Sequence, residues 1–296
     1  MATTQSITKV ATVKADGVEV FYRTAGPATN APTVVLLHGF PSSSHMFRNL
    51  IPLLATRYRV IAPDLPGYGF TTVPAEREYK YTFASLTQTF TAFVDALSLP
   101  PFALYIFDYG APTGLRFALD RPSSITAIIS QNGNAYTEGL GQPFWSSLEK
   151  LWASNAQADR DALRPLLELP ATQWQYHNGS PHPDSIQPEA FTLDQALMER
   201  AGNKEIQLDL FGSYGTNVEL YPRFQEYLRS SGVPVLTAWG KADEIFVAAG
   251  AEAFKKDVRK LETRWLDAGH FALETNEQQM VEWIFEFFDK YGVFAA

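Results

Sequence analysis

Short apolar runs and segments of helical spacing alternate along most of this chain. Near the start, Lys9 to Val13 and Val18 to Thr24 alternate apolar and polar positions on either side of Ala-Asp-Gly, a pattern that predicts a hairpin. From Thr33 the runs become continuously apolar, as buried parallel strands do: Thr33 to His38, Tyr58 to Ala62, Ala103 to Phe107, Ile125 to Ser130, Val233 to Trp239 and Thr263 to Leu266. Between them lie segments of helical periodicity. Ser44 to Leu54 is one, and Tyr81 to Leu97 places Phe83, Leu86, Phe90, Phe93, Val94 and Leu97 on one stripe. Thr113 to Leu119 and Glu277 to Lys290 are two more, the last with Met280, Trp283, Ile284 and Phe287 inward. Strands alternating with helices predict an α/β fold, a mostly parallel sheet covered by helices on both faces.

The gap from Ser130 to Val233 is too long for one crossover. It carries Trp145, Trp152, Trp174 and Tyr176 among helix-like pieces, with a Pro/His-rich stretch from Gly179 to Asp184. Residues 134–214 are therefore expected to form a helical cap inserted after the sixth strand. Residues 1–133 and 215–296 would be the two parts of the core, with Asn217 to Ser230 as the returning helix.

Composition narrows the function classes. A chain of 296 residues with 46% hydrophobic and 14% aromatic positions suits one globular core with a lid rather than a disordered protein. The net charge of -8 comes without a Lys/Arg run, which argues against a nucleic-acid partner. There is no cysteine, so a disulfide framework, a thiolate metal site and a Cys nucleophile are all excluded. His45, His177 and His182 match no metal-ligand spacing, and no metal or other cofactor is expected. Met1 to Lys9 is polar and no apolar run approaches the roughly 20 residues that span a bilayer. A cytoplasmic protein without a membrane partner is the expectation.

Candidate chemistry sits beyond the carboxyl ends of the strands, where open parallel sheets gather their reacting groups. Asp108 ends the run Leu104 to Phe107 and is followed at once by Tyr109-Gly110-Ala111 and a helix. That sequence makes a turn too sharp for bulky residues and lifts its middle side chain above the sheet. The plainer role for such an Asp is a helix N-cap. Asp243 lies past the strand ending at Trp239, and His270 follows Thr263 to Leu266 in Asp-Ala-Gly-His-Phe. Nucleophile, acid and base thus occur in the chain order of a hydrolase triad. No Gly-x-Ser-x-Gly occurs, which disfavours a serine esterase.

With His38-Gly-Phe-Pro41, Asp64-Leu-Pro-Gly-Tyr-Gly69, Asp108-Tyr-Gly-Ala111, Asp243 and Gly269-His270-Phe271 in this order, the chain resembles the α/β-hydrolase superfamily. Within it, the resemblance is to the epoxide hydrolase and haloalkane dehalogenase group, whose nucleophile is aspartate. It departs from that group at Ile106, where a small residue is usual, and at Tyr109, where Trp is usual. The resemblance implies the α/β-hydrolase fold and the triad Asp108, Asp243 and His270. It also implies an oxyanion hole from the backbone N–H groups of Phe40 and Tyr109, and a cis bond between Phe40 and Pro41. His38 and Pro41 would shape that loop, and Asp64 would anchor a turn.

An ionised Asp can attack an sp³ carbon without a base, and His270 would then direct water at the resulting ester. Epoxide hydrolysis to a vicinal diol is the leading expectation, because epoxide hydrolases resemble this chain in having a cap tyrosine upstream of the triad acid, here Tyr214. Their second tyrosine has no firm match; Tyr136 and Tyr176 are candidates, and Trp152 stands in the expected region. Trp152 would alternatively donate an N–H to a halide in a haloalkane or haloacid dehalogenase, although no Arg follows Asp108 to hold a haloacid carboxylate. A non-catalytic small-ligand receptor on the same scaffold is the reading from another class. The expected partners are a small apolar organic substrate and water, with the chain acting as a monomer or homodimer.

Overall fold

A computed structural model of the chain describes residues 7–27 and 31–294, so the polar start at residues 1–6 lies outside the described residues. The strands are β1 Lys9–Ala15, β2 Val18–Ala25, β3 Thr33–Leu37, β4 Arg59–Pro63, β5 Phe102–Phe107, β6 Ile125–Gln131, β7 Val235–Gly240 and β8 Leu261–Leu266. They form one eight-stranded sheet in the order β1-β2-β4-β3-β5-β6-β7-β8. β1 with β2 and β2 with β4 are antiparallel, and every other pairing is parallel. Asp16 and Gly17, at φ 53° and 73°, supply the two left-handed positions of a tight hairpin turn whose twist matches the strands.

The continuously apolar runs are explained by burial on both faces. Along β5, Phe102, Leu104 and Ile106 join one core cluster, while Ala103, Tyr105 and Phe107 join the other. The helices Phe83–Ala96, Gly110–Asp120 and Tyr221–Ser230 cover the first face, and Leu50–Leu54 with Leu273–Tyr291 cover the second. Between β6 and β7 the chain is helical, in Ser146–Ser154, Gln157–Asp161, Leu169–His177, Pro188–Met198, Asn203–Ser213 and Gly215–Val218 before Tyr221–Ser230. Among the described residues, no helix is long and apolar enough to cross a membrane.

Three helices differ from the expected spans. The returning helix, expected over Asn217 to Ser230, is a short turn of helix at Gly215–Val218 followed by Tyr221–Ser230. Ser44 to Leu54 splits into a 3-10 turn at Ser44–Phe47 and a short α-helix at Leu50–Leu54, because Pro52 has no N–H and belongs in a first turn. The last helix begins earlier, at Leu273, but breaks at Asn276 (φ −132°), so the regular stretch starts where the periodicity placed it.

Candidate active site

β5 delivers Asp108 to the top of the sheet, and the helix Gly110–Asp120 leaves immediately after it. Asp108 has φ 47°, a left-handed backbone that Asp tolerates better than most side chains. The turn closes because its neighbours are small. A Cβ on Gly110 would stand 2.3 Å from the Leu37 carbonyl oxygen, and one on Gly39 would stand 2.2 Å from Asp108 Oδ1. Ile106 fits at the turn because Gly114, on the facing helix, leaves room: a Cβ there would come within 2.9 Å of Ile106 Cγ2.

The close approach of Gly39 brings the Phe40 N–H to Asp108 Oδ1 at 2.6 Å. The Phe40–Pro41 bond is cis. His38 is buried behind the loop, with Nε2 accepting from the Leu65 N–H at 2.9 Å, and Asp64 accepts from the Ser44 and Phe70 N–H groups. Both residues hold loops in place. Burial pushes the Asp108 carboxyl up from 3.8 to about 6, against the opposing pull of His270 and of the Phe40 and Tyr109 N–H groups. The carboxylate is thus only 5% exposed yet ionised at neutral pH.

His270 and Asp243 stand beside it, on the loops after β8 and β7. His270 Nδ1 lies 2.8 Å from Asp243 Oδ2, and since a carboxylate only accepts, Nδ1 carries the proton. Nε2 is therefore the basic nitrogen. It is buried, has no hydrogen-bond partner and lies 3.9 Å from Asp108 Oδ2. Burial alone would lower the imidazole pKa, but the Asp243 carboxylate, helped by Asp108, carries it above its ordinary value. Asp243 is itself fixed by the Ile245 N–H at 2.7 Å and the Asn132 side-chain amide at 2.7 Å. Asn132 also accepts from the Gly240 N–H at 3.0 Å. The sequence reading missed Asn132; its signal was the one that located Asp243, a polar residue just past an apolar strand, here β6.

Tyrosines crowd the other side of Asp108. The Asp108 charge reaches the hydroxyls of Tyr68, Tyr109, Tyr214 and Tyr221, and burial pushes all of them above the ordinary tyrosine range, so each keeps its proton at neutral pH. The Tyr214 and Tyr221 hydroxyls are 3.4 Å apart, and Tyr221 also meets the Asn134 amide at 3.2 Å. The Tyr109 ring lies 5.7 Å from that of Tyr214, and its hydroxyl is buried without a partner. Tyr221 was not singled out from sequence, because nothing in its local pattern shows that it pairs with Tyr214.

The three remaining candidates commit their polar atoms elsewhere. Trp152 stacks beside Tyr214 at 5.9 Å, but its N–H donates to the Phe211 carbonyl at 2.8 Å. Tyr136 donates to Asp257 at 2.9 Å. Tyr176 donates to Asp194 at 2.5 Å and stacks on Phe271. Among the described residues no group of three or more His, Asp or Glu is gathered in a way that would hold a metal ion.

The family described as alpha/beta hydrolase fold matches residues 32–277. The chain belongs to that family. It is 53% identical over 277 residues to a Saccharomyces cerevisiae protein named only as an uncharacterised hydrolase, covering 92% of this chain and 94% of that one. Among solved structures, the haloalkane dehalogenase DatA of Agrobacterium tumefaciens superposes with a TM-score of 0.74 at 22% identity, over 95% of this chain and 97% of that one. An epoxide hydrolase of Vigna radiata superposes with a TM-score of 0.74 at 24% identity, over 96% and 98%. The last two likenesses are likenesses of fold. As a member of this family the chain is a hydrolase.

Proposed function

We propose that this hydrolase works through a covalent ester on Asp108 and that its substrate is a small apolar epoxide, opened by water to a vicinal diol without a cofactor. The observation that carries the reading is the pair of protonated hydroxyls of Tyr214 and Tyr221 within reach of the Asp108 charge. An opening epoxide needs O–H donors for its developing alkoxide.

Asp108 Oδ1 is held by the Phe40 N–H, which leaves Oδ2 to attack an epoxide carbon as the carbon–oxygen bond breaks. The departing oxygen takes a proton from the tyrosine pair. His270 Nε2 then removes a proton from water, whose oxygen adds to Asp108 Cγ. Oδ1 becomes the oxyanion, facing the Phe40 and Tyr109 N–H groups, each worth roughly 10²- to 10³-fold in rate. Collapse expels the diol oxygen, which takes the proton from His270. Asp108 is released as the acid, and its proton restores the tyrosine.

Haloalkane dehalogenation is the second reading, favoured by the unpartnered Tyr109 hydroxyl beside the nucleophile. Indole donors support it less: Trp145, Trp152 and Trp239 all donate their N–H to backbone carbonyls. Incubation with styrene oxide and with bromobutane separates the readings. Diol formation that falls roughly 10- to 100-fold in Tyr221→Phe is expected. Halide release without diol formation would favour the dehalogenase, and tight ligand binding without turnover of either would favour a receptor.

A further inference from the structure

The helix Leu169–His177 ends against the catalytic loops. Its last turn runs into Asn178 and Gly179 (φ 76°), where a Cβ on Gly179 would stand 2.7 Å from the Ala242 carbonyl oxygen and 2.9 Å from Gly269 Cα. A Cβ on Gly269 would stand 1.8 Å from the Asn178 carbonyl oxygen. Ala242 precedes Asp243 and Gly269 precedes His270, so one short stretch of backbone is wedged against both loops. Tyr176 adds a third contact: its ring stacks on Phe271 at 3.8 Å and 12° between planes. Its hydroxyl donates to Asp194 on the helix Pro188–Met198, and the Ser42 hydroxyl, two residues after Phe40, faces both.

We infer that Tyr176, held by Asp194 with the Ser42 hydroxyl beside the pair, is a positioning residue that ties the loops of Phe40, Asp243 and His270 to the helices above them. The inference rests on the reading of His270 as the base that hydrolyses the ester. Tyr176 and Asp194 are 2% and 1% exposed, so their hydrogen bond is made out of water, where losing one partner strands the other. Burial pushes the Asp194 carboxyl up to about 8, and at neutral pH it is mostly protonated. The cluster therefore positions as neutral groups, with the ion pair of Arg48 and Glu274 alongside. Ester formation needs only Asp108 and the tyrosine donors. Ester hydrolysis needs His270, Asp243 and the Phe40 N–H held together, and a displacement of about 1 Å costs such an assembly up to roughly 10²-fold.

Tyr176→Leu removes the ring stack and the hydroxyl, and Tyr176→Phe removes the hydroxyl alone. With styrene oxide in quenched flow, Tyr176→Leu is expected to slow ester hydrolysis roughly 10-fold or more while ester formation stays within about 3-fold of the parent. Without substrate, the ring-proton resonance of His270, assigned by its loss in His270→Gln, is expected to titrate at lower pH in Tyr176→Leu as its bond to Asp243 loosens. Asp194→Leu should behave alike. Asp194→Asn, which keeps an acceptor and a donor on the same frame, should restore most of the loss. If Tyr176→Leu does not fold, Tyr176→Phe should shift both readouts in the same direction by less. Equal slowing of both steps, or a His270 titration that does not move in any variant, would overturn the inference. A parent enzyme that forms no ester would reject the epoxide reading alone, and the His270 titration would still decide this one.

Discussion

Asp108 is ionised in a place that disfavours charge. Its carboxyl titrates at about 6 instead of 3.8, so between roughly pH 4 and 6 the folded state binds more protons than the unfolded chain, and stability falls as pH rises through that window. Asp108→Asn keeps the acceptor for the Phe40 N–H and tolerates the left-handed backbone, but has no charge to bury. It should melt a few degrees above the parent at pH 8, a gain on the order of 2 kcal/mol, with the difference shrinking toward pH 4. Calorimetry at the two pH values checks this; a variant less stable at pH 8 would contradict it. Asp108, Asp243 and His270 were legible in the sequence because each lies within a few residues of the end of an apolar strand. Asn132 carries the same strand-end signal but is not titratable and was passed over, and Tyr221 gains its meaning only from its pairing with Tyr214.

At the scale of elements, the turn between β5 and its helix depends on matched sizes across two segments. Ile106, which departs from the small residue usual there, is accommodated by Gly114 one turn into the facing helix. Gly114→Ala would place its Cβ 2.8 Å from Leu104 Cδ2 and 2.9 Å from Ile106 Cγ2. It should cost about 1–3 kcal/mol in urea unfolding despite the better helix propensity of Ala. Combining it with Ile106→Ala, which removes Cγ2, should cost less than the sum of the two singles, since the pair shares that contact. Strict additivity would show that the two positions are independent. The strands were legible because continuous apolar runs mark burial on both faces. The helices between β6 and β7 were legible only as a group, since their faces pack against each other and against the tyrosines, and no single period dominates.

The whole molecule closes over its chemistry: Asp108, His270, Tyr109 and Tyr214 are all at most 5% exposed. A closed site strengthens the electrostatic interactions inside it, and on the proposed mechanism the two steps depend on pH through different groups. Ester formation should gain rate as pH rises through about 6, when Asp108 ionises, whereas hydrolysis should wait for His270 to lose the proton that Asp243 helps it hold. The ester should therefore accumulate to a larger fraction of enzyme near pH 6.5 than at pH 8.5, as intact-mass spectra of quenched reactions would show. An equal or larger ester fraction at pH 8.5 would contradict the order of the two ionisations.

If an ester forms on Asp108, the oxygen first delivered to the substrate comes from its carboxylate. A single turnover of styrene oxide in heavy-oxygen water, with enzyme in excess, tests it directly. The diol should carry no label, and a heavy oxygen should be retained in the peptide containing Asp108. A labelled diol with an unlabelled peptide would mean that water attacks the substrate itself and that no ester forms.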